Sequence, residues 1–139
     1  MTREDLIHGL NQDLAGELGT LIRYTYQVTK CFGITGVELR EVLTREAEDE
    51  LGHARFLADV IVDLGGEPVT SPREFAKPEG LRAMLELDLD MELQDVENYK
   101  RHSELAERLG EVELKVKLEE MAADEAGHAR ELRRFLRGM

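Results

Sequence analysis

The sequence has 139 residues, of which 42% are apolar, and this is enough for one domain, residues 1–139, with one hydrophobic core. Acidic residues outnumber basic ones by 30 to 18, and the net charge of -12 is expected to repel nucleic acid and attract cations, with simple solubility as the alternative explanation. No apolar run approaches the roughly 18 residues of a membrane span, so we expect no membrane partner, no signal peptide and a cytoplasmic location. Cys31 is the only cysteine. Any bound metal must therefore be held by Glu, Asp and His.

Apolar residues recur at intervals of three and four residues along most of the chain, which predicts an all-α protein. The first two predicted helices are separated by Gly33 and Gly36, the next two by a long link over residues 65–78, and the last two by Gly110. Short links make antiparallel neighbours, whereas the long link can cross the length of a bundle. The sequence therefore predicts a four-helix bundle with two helix pairs joined by a crossover. The predicted helices cover about 3–31, 37–64, 79–108 and 111–137.

A nine-residue segment occurs twice, once in the second predicted helix and once in the fourth. Residues 49–57 read DELGHARFL and residues 124–132 read DEAGHAREL, identical at seven of nine positions. A glutamate lies 33 residues upstream of the repeated glutamate in both halves. We therefore expect the two halves of the bundle to be related by an internal pseudo-twofold axis.

Each half supplies one Glu from one helix and a Glu-x-x-His pair from the next. A spacing of three residues places this pair on one face of a helix. Four carboxylates and two imidazoles in this distribution are the ligand set of a di-iron carboxylate bundle, and they suit iron or manganese. Their four negative charges balance two divalent ions, whereas one ion would leave buried charge unpaired. The predicted metal ligands are Glu17, Glu50, His53, Glu92, Glu125 and His128.

Acidic and aromatic side chains next to these ligands have predicted supporting roles. Asp49 and Asp124 precede the repeated glutamates and are predicted to hydrogen-bond the distal nitrogen of a ligand histidine across the pseudo-dyad. The alternative for both is a solvated surface acid. Tyr24 and Tyr99 share a helix face with the upstream glutamates, and either could hydrogen-bond a ligand carboxylate or donate an electron. Tyr24 is favoured, while simple packing of a tyrosine in the bundle is the alternative.

Predictions for five further positions rest on single residues. Gly52 and Gly127 lie in helices, where glycine costs about 1 kcal/mol relative to alanine. They are predicted to leave room beside the ligands or to permit a close helix contact. His102, like His8, is outside the repeat and is predicted at the surface. Glu46 is placed to guide metal ions inward near the site entrance, although surface solvation is the ordinary explanation for one acid.

In these residues the chain resembles the bacterioferritins and related ferritin-like proteins, from the first helix to the fourth. The resemblance implies a ferritin-like bundle with two iron ions per chain, while manganese or a mixed pair remains an alternative. It also implies ferroxidase activity, in which O2 or peroxide oxidises Fe(II) and the ferric product is stored in a protein shell. Leu51 stands where haem-binding members carry a Met ligand, so haem is not expected. The implied roles are terminal carboxylates for Glu17 and Glu92, bridging carboxylates for Glu50 and Glu125, and terminal imidazoles for His53 and His128.

The length of the chain after the last ligand bears on its assembly. Eleven residues follow His128, whereas ferritins that form the largest shells continue into a fifth helix. A smaller homo-oligomer is therefore expected, with a dodecamer preferred and a dimer next. One alternative function is a rubrerythrin-like di-iron peroxide reductase that stores no mineral. The other is a metal-free helical scaffold.

Overall fold

The chain forms four long α-helices and no β-strand in a computed structural model that describes all residues 1–139. The all-α fold predicted from the sequence is therefore confirmed. No helix combines enough length with enough apolar character to span a lipid bilayer. The helices are α1 (Arg3–Gln27), α2 (Gly33–Asp63), α3 (Leu81–Arg108) and α4 (Val112–Arg137), and a short 3-10 helix (Val28–Lys30) follows α1.

The start of α1 is fixed by a reciprocal pair of side-chain hydrogen bonds. The Thr2 hydroxyl accepts from the Asp5 backbone N–H at 3.2 Å, and the Asp5 carboxylate accepts from the Thr2 backbone N–H at 2.8 Å. This arrangement satisfies backbone donors that the first turn of a helix leaves without partners. The helix therefore begins at Arg3, as predicted, but it ends at Gln27 rather than near residue 31, because the chain tightens into the 3-10 helix that follows.

The starts of α2 and α3 differ from the sequence prediction. Gly36 was expected to break the chain, but it lies inside α2, which begins four residues before the predicted start. A Cβ atom on Gly36 would come within 2.7 Å of the Cys31 carbonyl carbon. This glycine therefore permits a close approach rather than a break. Gly80 has a φ of 89°, which favours glycine, so α3 begins after it at Leu81.

The crossover between α2 and α3 is anchored along α1. The Asn11 side chain donates to the Glu67 carbonyl at 3.1 Å and accepts from the Val69 backbone N–H at 2.9 Å. Further along the crossover, the Arg73 backbone N–H donates to the Ala15 carbonyl at 2.8 Å. Asn11 and Ala15 are about one turn apart, so these bonds hold the crossover against the middle of α1.

The interior contains two apolar clusters with buried polar side chains between them. Burying a leucine stabilises a fold by about 1.5–3 kcal/mol, so these clusters offset the cost of burying charge in the polar layer. The larger cluster includes Leu6, Leu10, Leu57, Ile61 and Leu118, and the smaller includes Leu39, Leu43, Leu85 and Leu132.

Candidate metal centre

The bundle interior brings together six side chains from all four helices. Because α2 and α4 each carry a Glu and a His three residues apart, both members of each pair face the bundle axis. The four glutamates are at most 1% exposed and the two histidines are 7% exposed. The six residues are Glu17 on α1, Glu50 and His53 on α2, Glu92 on α3, and Glu125 and His128 on α4.

One half of this group surrounds the inward-facing nitrogen of His53. The Nδ1 atom lies 3.2 Å from Glu17 Oε2, 3.7 Å from Glu50 Oε1 and 3.5 Å from Glu125 Oε1. One ligand atom from each of these four residues lies within 4.8 Å of the others. The arrangement offers one ion three carboxylates and one imidazole.

The other half surrounds His128 in the same manner. Its Nδ1 atom lies 3.4 Å from Glu50 Oε1, 3.8 Å from Glu92 Oε2 and 3.5 Å from Glu125 Oε1. The same oxygens of Glu50 and Glu125 therefore lie close to both histidines. These two carboxylates occupy the place between two ion positions that bridging ligands would need.

The outward-facing nitrogen of each histidine contacts an aspartate from the other helix pair. His53 Nε2 lies 2.8 Å from Asp124 Oδ2, and His128 Nε2 lies 2.9 Å from Asp49 Oδ2. A carboxylate accepts a hydrogen bond, so each histidine donates from Nε2. In the neutral ring that a metal ion requires, the lone pair then lies on Nδ1, which faces the carboxylates.

Each tyrosine hydroxyl contacts a glutamate from the other helix pair. The Tyr24 hydroxyl donates to Glu92 Oε1 at 2.7 Å, and the Tyr99 hydroxyl donates to Glu17 Oε1 at 2.8 Å. Each ring is 1% exposed. The sequence favoured Tyr24, but the structure gives the two tyrosines equivalent contacts.

Burial and mutual repulsion control the charges of this group. Burial raises the pKa values of Glu17 and Glu125, and the adjacent Glu50 carboxylate raises both further. Burial also acts to raise the pKa of Glu50, but close polar contacts with Glu125, His128 and Glu17 lower it to about 2. Burial lowers the pKa of His128, yet its contacts with Glu50 and Glu92 raise it to about 12. Without a cation the centre therefore retains protons on Glu17, Glu125 and His128.

Several buried atoms of the centre have no well-directed hydrogen bond. They include both carboxylate oxygens of Glu50 and of Glu125, one oxygen of Glu92, and His128 Nδ1. An unsatisfied buried polar group costs about 1–3 kcal/mol, and more when it is charged. Cations among these atoms would satisfy all of them together. The set of carboxylates and imidazoles fits iron or manganese.

Comparison with known proteins supplies the family. A family model of the ferritin-like domain matches residues 7–139. The chain belongs to the ferritin-like family. It is also 30% identical over 128 residues to a bacterioferritin of Brucella melitensis biotype 1, which covers 88% of this chain and 77% of that protein. The resemblance drawn from the sequence is confirmed.

Solved structures place this ferritin-like chain among di-iron proteins by fold. A ferritin-like, diiron-carboxylate protein from Bacillus anthracis is 40% identical, with a TM-score of 0.94 over 98% of this chain and 99% of that one. A Desulfovibrio desulfuricans bacterioferritin, described with a diiron site in different catalytic states, is 26% identical. Its TM-score is 0.88 over 98% of this chain and 82% of that one. The predicted ferritin-like bundle is confirmed.

A second buried polar layer, which the sequence analysis missed, borders the centre of this ferritin-like chain. Arg23 Nε donates to Asp88 Oδ1 at 2.9 Å, and Gln27 donates to the same oxygen at 2.8 Å. In the other half Asp13 pairs with Nδ1 of His102, which is 5% exposed. The prediction of a surface position for His102 is therefore wrong.

The constant offset between the two halves of the sequence is a signal for this layer. Asp13 and Asp88 are 75 residues apart, as are Gln27 and His102, which is the offset between the two halves. At Gly9 a Cβ atom would come within 2.6 Å of His102 Nε2. The glycine thus makes the space in α1 that lets the His102 ring pack inside the bundle.

The crossover contributes one cation beside the centre. Arg73 Nη2 lies 3.3 Å from Oδ1 of the buried Asp95, whose pKa is raised to about 7, chiefly by burial. Asp95 also lies within reach of Glu92 and Glu125. A Cβ atom on Gly19 would meet the Arg73 carbonyl oxygen at 2.5 Å. This arginine is therefore held close to α1. Its position could not be predicted from the sequence, because the crossover has no helical periodicity.

The structure also corrects two smaller predictions. A Cβ atom on Gly52 or Gly127 would meet nothing within 4 Å, so neither glycine permits a close helix contact within the chain. Glu46 is 3% exposed, so the surface explanation for this acid is wrong. Leu51, by contrast, is 39% exposed on α2 and His8 is exposed on α1.

Proposed function

We propose that this chain is a ferroxidase that binds two Fe(II) ions and oxidises them with O2 or peroxide. The observation that carries the proposal is the position of Glu50 and Glu125 between two histidine nitrogens that face each other across the centre. Paired ions supply two electrons to one oxidant at one place. Manganese, or one ion of each metal, would fit the same donor atoms.

The proposed roles follow from the contacts of each side chain. Glu17 and Glu92 are proposed as terminal ligands, and the tyrosine hydroxyls fix one oxygen of each carboxylate while the other remains free. Glu50 and Glu125 are proposed to bridge. The terminal imidazoles of His53 and His128 complete the set, since Asp124 and Asp49 fix their ring orientation.

Proton release accompanies metal loading in this proposal. Glu17 and Glu125 hold protons in the metal-free chain, because burial raises their pKa values. Metal ligands must be deprotonated, so these protons leave as the ions bind. Tyr24 and Tyr99 are both placed to donate an electron, since each hydroxyl has an adjacent carboxylate that can accept its proton.

The relatives support iron as the metal. The Bacillus anthracis protein is described as a diiron-carboxylate protein, and the Desulfovibrio desulfuricans bacterioferritin as having a diiron site. Haem is not part of the proposal, because Leu51 offers no ligand atom. We propose storage of the ferric product in the cytoplasm by a homo-oligomer, a dodecamer before a dimer. Exposed Phe32, Ile34 and Val37 near the start of α2 offer an apolar surface for contact between copies.

The test is anaerobic titration of the metal-free protein with Fe(II), followed by O2 or peroxide, with absorbance and particle size recorded together. We expect saturation at two Fe(II) per chain, rapid oxidation, and further iron uptake by a large oligomer. Two ions with no further uptake would favour the peroxide reductase. A chain that binds no stoichiometric Fe(II), and whose melting temperature is unchanged by chelators, would be a scaffold.

A further inference from the structure

Glu46 is a buried carboxylate that the six proposed ligands do not include. It lies one helical turn before Glu50 on α2, so both side chains project from the same face of the helix. Glu46 is 3% exposed, and neither of its carboxylate oxygens has a hydrogen-bond partner. A buried charge without a partner is strongly unfavourable. The ionised form of Glu46 therefore requires a compensating group.

No lysine or arginine supplies that compensation, and the cationic group that acts on Glu46 is the His128 ring of the centre itself. Glu46 takes part in none of the ion pairs of the chain, and the arginine beside it in sequence, Arg45, turns outward to Glu131 at 3.8 Å. One carboxylate oxygen of Glu46 lies within 4.8 Å of ligand atoms of Glu92 and His128. Ligand atoms that share one ion lie about 3–4 Å apart. A small rotation of the side chain would therefore bring Glu46 onto an ion held by these two residues.

The other helix pair has no glutamate at the position equivalent to Glu46. The residue 75 positions later on α4 is Met121, which is 4% exposed. A thioether is a soft ligand that binds hard divalent ions poorly. Each of the four glutamates already described has a glutamate at the equivalent position in the other half, but Glu46 has none. The centre is therefore asymmetric at Glu46, as it is at Asp95, but Asp95 has Arg73 as its partner.

We propose that Glu46 is a seventh protein ligand, which binds the ion on the His128 side and makes the two ion positions unequal. This inference rests on the proposed di-iron function and adds to it. The ion near His53 has Glu17 and the two shared carboxylates, whereas the ion near His128 has Glu92, the shared carboxylates and Glu46. A fifth carboxylate on the pair favours the higher charge of ferric ions, so it favours the oxidised state.

Titration of the metal-free full-length chain with Co(II), followed by visible absorbance and calorimetry, tests the proposal without turnover. We expect wild type to bind two Co(II) per chain. In Glu46→Gln one of the two binding steps should weaken by about 10- to 100-fold, and it should be the step that His128→Gln eliminates. The other step should remain unchanged. Glu48→Gln, the same substitution at an exposed position of α2, should leave both steps unchanged.

The outcomes separate this inference from the function on which it rests. If wild type fails to bind two Co(II), the dinuclear proposal itself fails. If wild type binds two and Glu46→Gln binds them with unchanged affinities, only the seventh ligand is ruled out. Should Glu46→Gln fail to fold, Met121→Glu decides, because it adds the missing carboxylate to the other side. It is expected to tighten binding of the His53-side ion by about tenfold, and no tightening would overturn the proposal.

Discussion

The halves of the centre around His53 and His128 agree closely where they face the proposed ions and differ one turn away. Both have a glutamate that accepts a hydrogen bond from a tyrosine, and both have a histidine held by an aspartate. Beyond these contacts, the His128 half has Glu46 and the Arg73–Asp95 pair. The two halves thus share the side chains that an ion would contact directly, whereas the charged residues around them differ.

The difference in the outer layer has a topological source. A bundle built from two helix pairs has only one crossover, so a crossover residue such as Arg73 can reach only one side of the pseudo-dyad. The position equivalent to Asp95 is Thr20, whose hydroxyl donates to the Gly16 carbonyl at 3.0 Å within its own helix. The acid on α3 thus corresponds to a hydroxyl on α1 that is satisfied within its own helix.

The largest expected effect comes from removing a shared carboxylate. Glu50→Gln should weaken both ion positions by more than about 100-fold, because the same oxygen lies near both histidines. His53→Gln should weaken only one position. The measurement is the number of Fe(II) ions bound per chain under anaerobic conditions, with Glu48→Gln as the control. Equal loss in the two variants would contradict a shared role for Glu50.

A smaller effect is expected in the buried polar layer. Arg23→Met leaves Asp88 buried without its cation, which should lower the free energy of unfolding by about 3–5 kcal/mol. His102→Gln places in the other half the residue that stands at position 27, and it should cost only about 1 kcal/mol. Urea denaturation of the two metal-free variants measures the difference. If His102→Gln costs as much as Arg23→Met, the two halves depend equally on this layer.

A further expected effect is a pH dependence that distinguishes Glu46 from Met121. Burial raises the pKa of Glu46 from 4.5 to about 8, so its protonated form stabilises the metal-free fold. This contribution is fully present below pH 4.5 and is lost as the pH rises through about 8.

The free energy of unfolding of metal-free wild type should therefore fall relative to that of Glu46→Gln over this range, as measured by urea denaturation at several pH values. Glu48→Gln is again the matched control. A constant difference between wild type and Glu46→Gln would show that Glu46 does not titrate in the folded chain. Metal affinity should change in the opposite direction, because ions require the deprotonated carboxylates.

Much of the architecture was predictable because it depends on local periodicity. Apolar spacing located all four helices, and the errors were confined to helix ends: α1 ends at Gln27 rather than near residue 31, and single glycines decide the starts of α2 and α3. Gly36 appeared to be a breaker but packs against the Cys31 backbone inside α2, while Gly80, with its positive φ, sets the start of α3. Local sequence does not distinguish a glycine that ends a helix from one that permits close packing.

The repeat also located the six side chains that converge in the centre. The equal 33-residue spacing between glutamates in both halves indicates which face of each helix turns inward. Single residues outside the repeated segment had no such support. Glu46 is one of 30 acidic residues, and most acids on a helix are solvated. His102 likewise carried no mark of its buried pairing with Asp13 beyond the offset between the halves.

The sequence by itself determined the helices, the two equivalent halves and the inward faces, because periodicity and repetition are written along the chain. Only the tertiary structure decided which charges meet across it. Arg23 and Asp88 are separated by 65 residues, and Arg73 reaches Asp95 from a segment without regular structure. Whether a charged side chain is buried depends on which helices cover it. That information exists only once the bundle has closed.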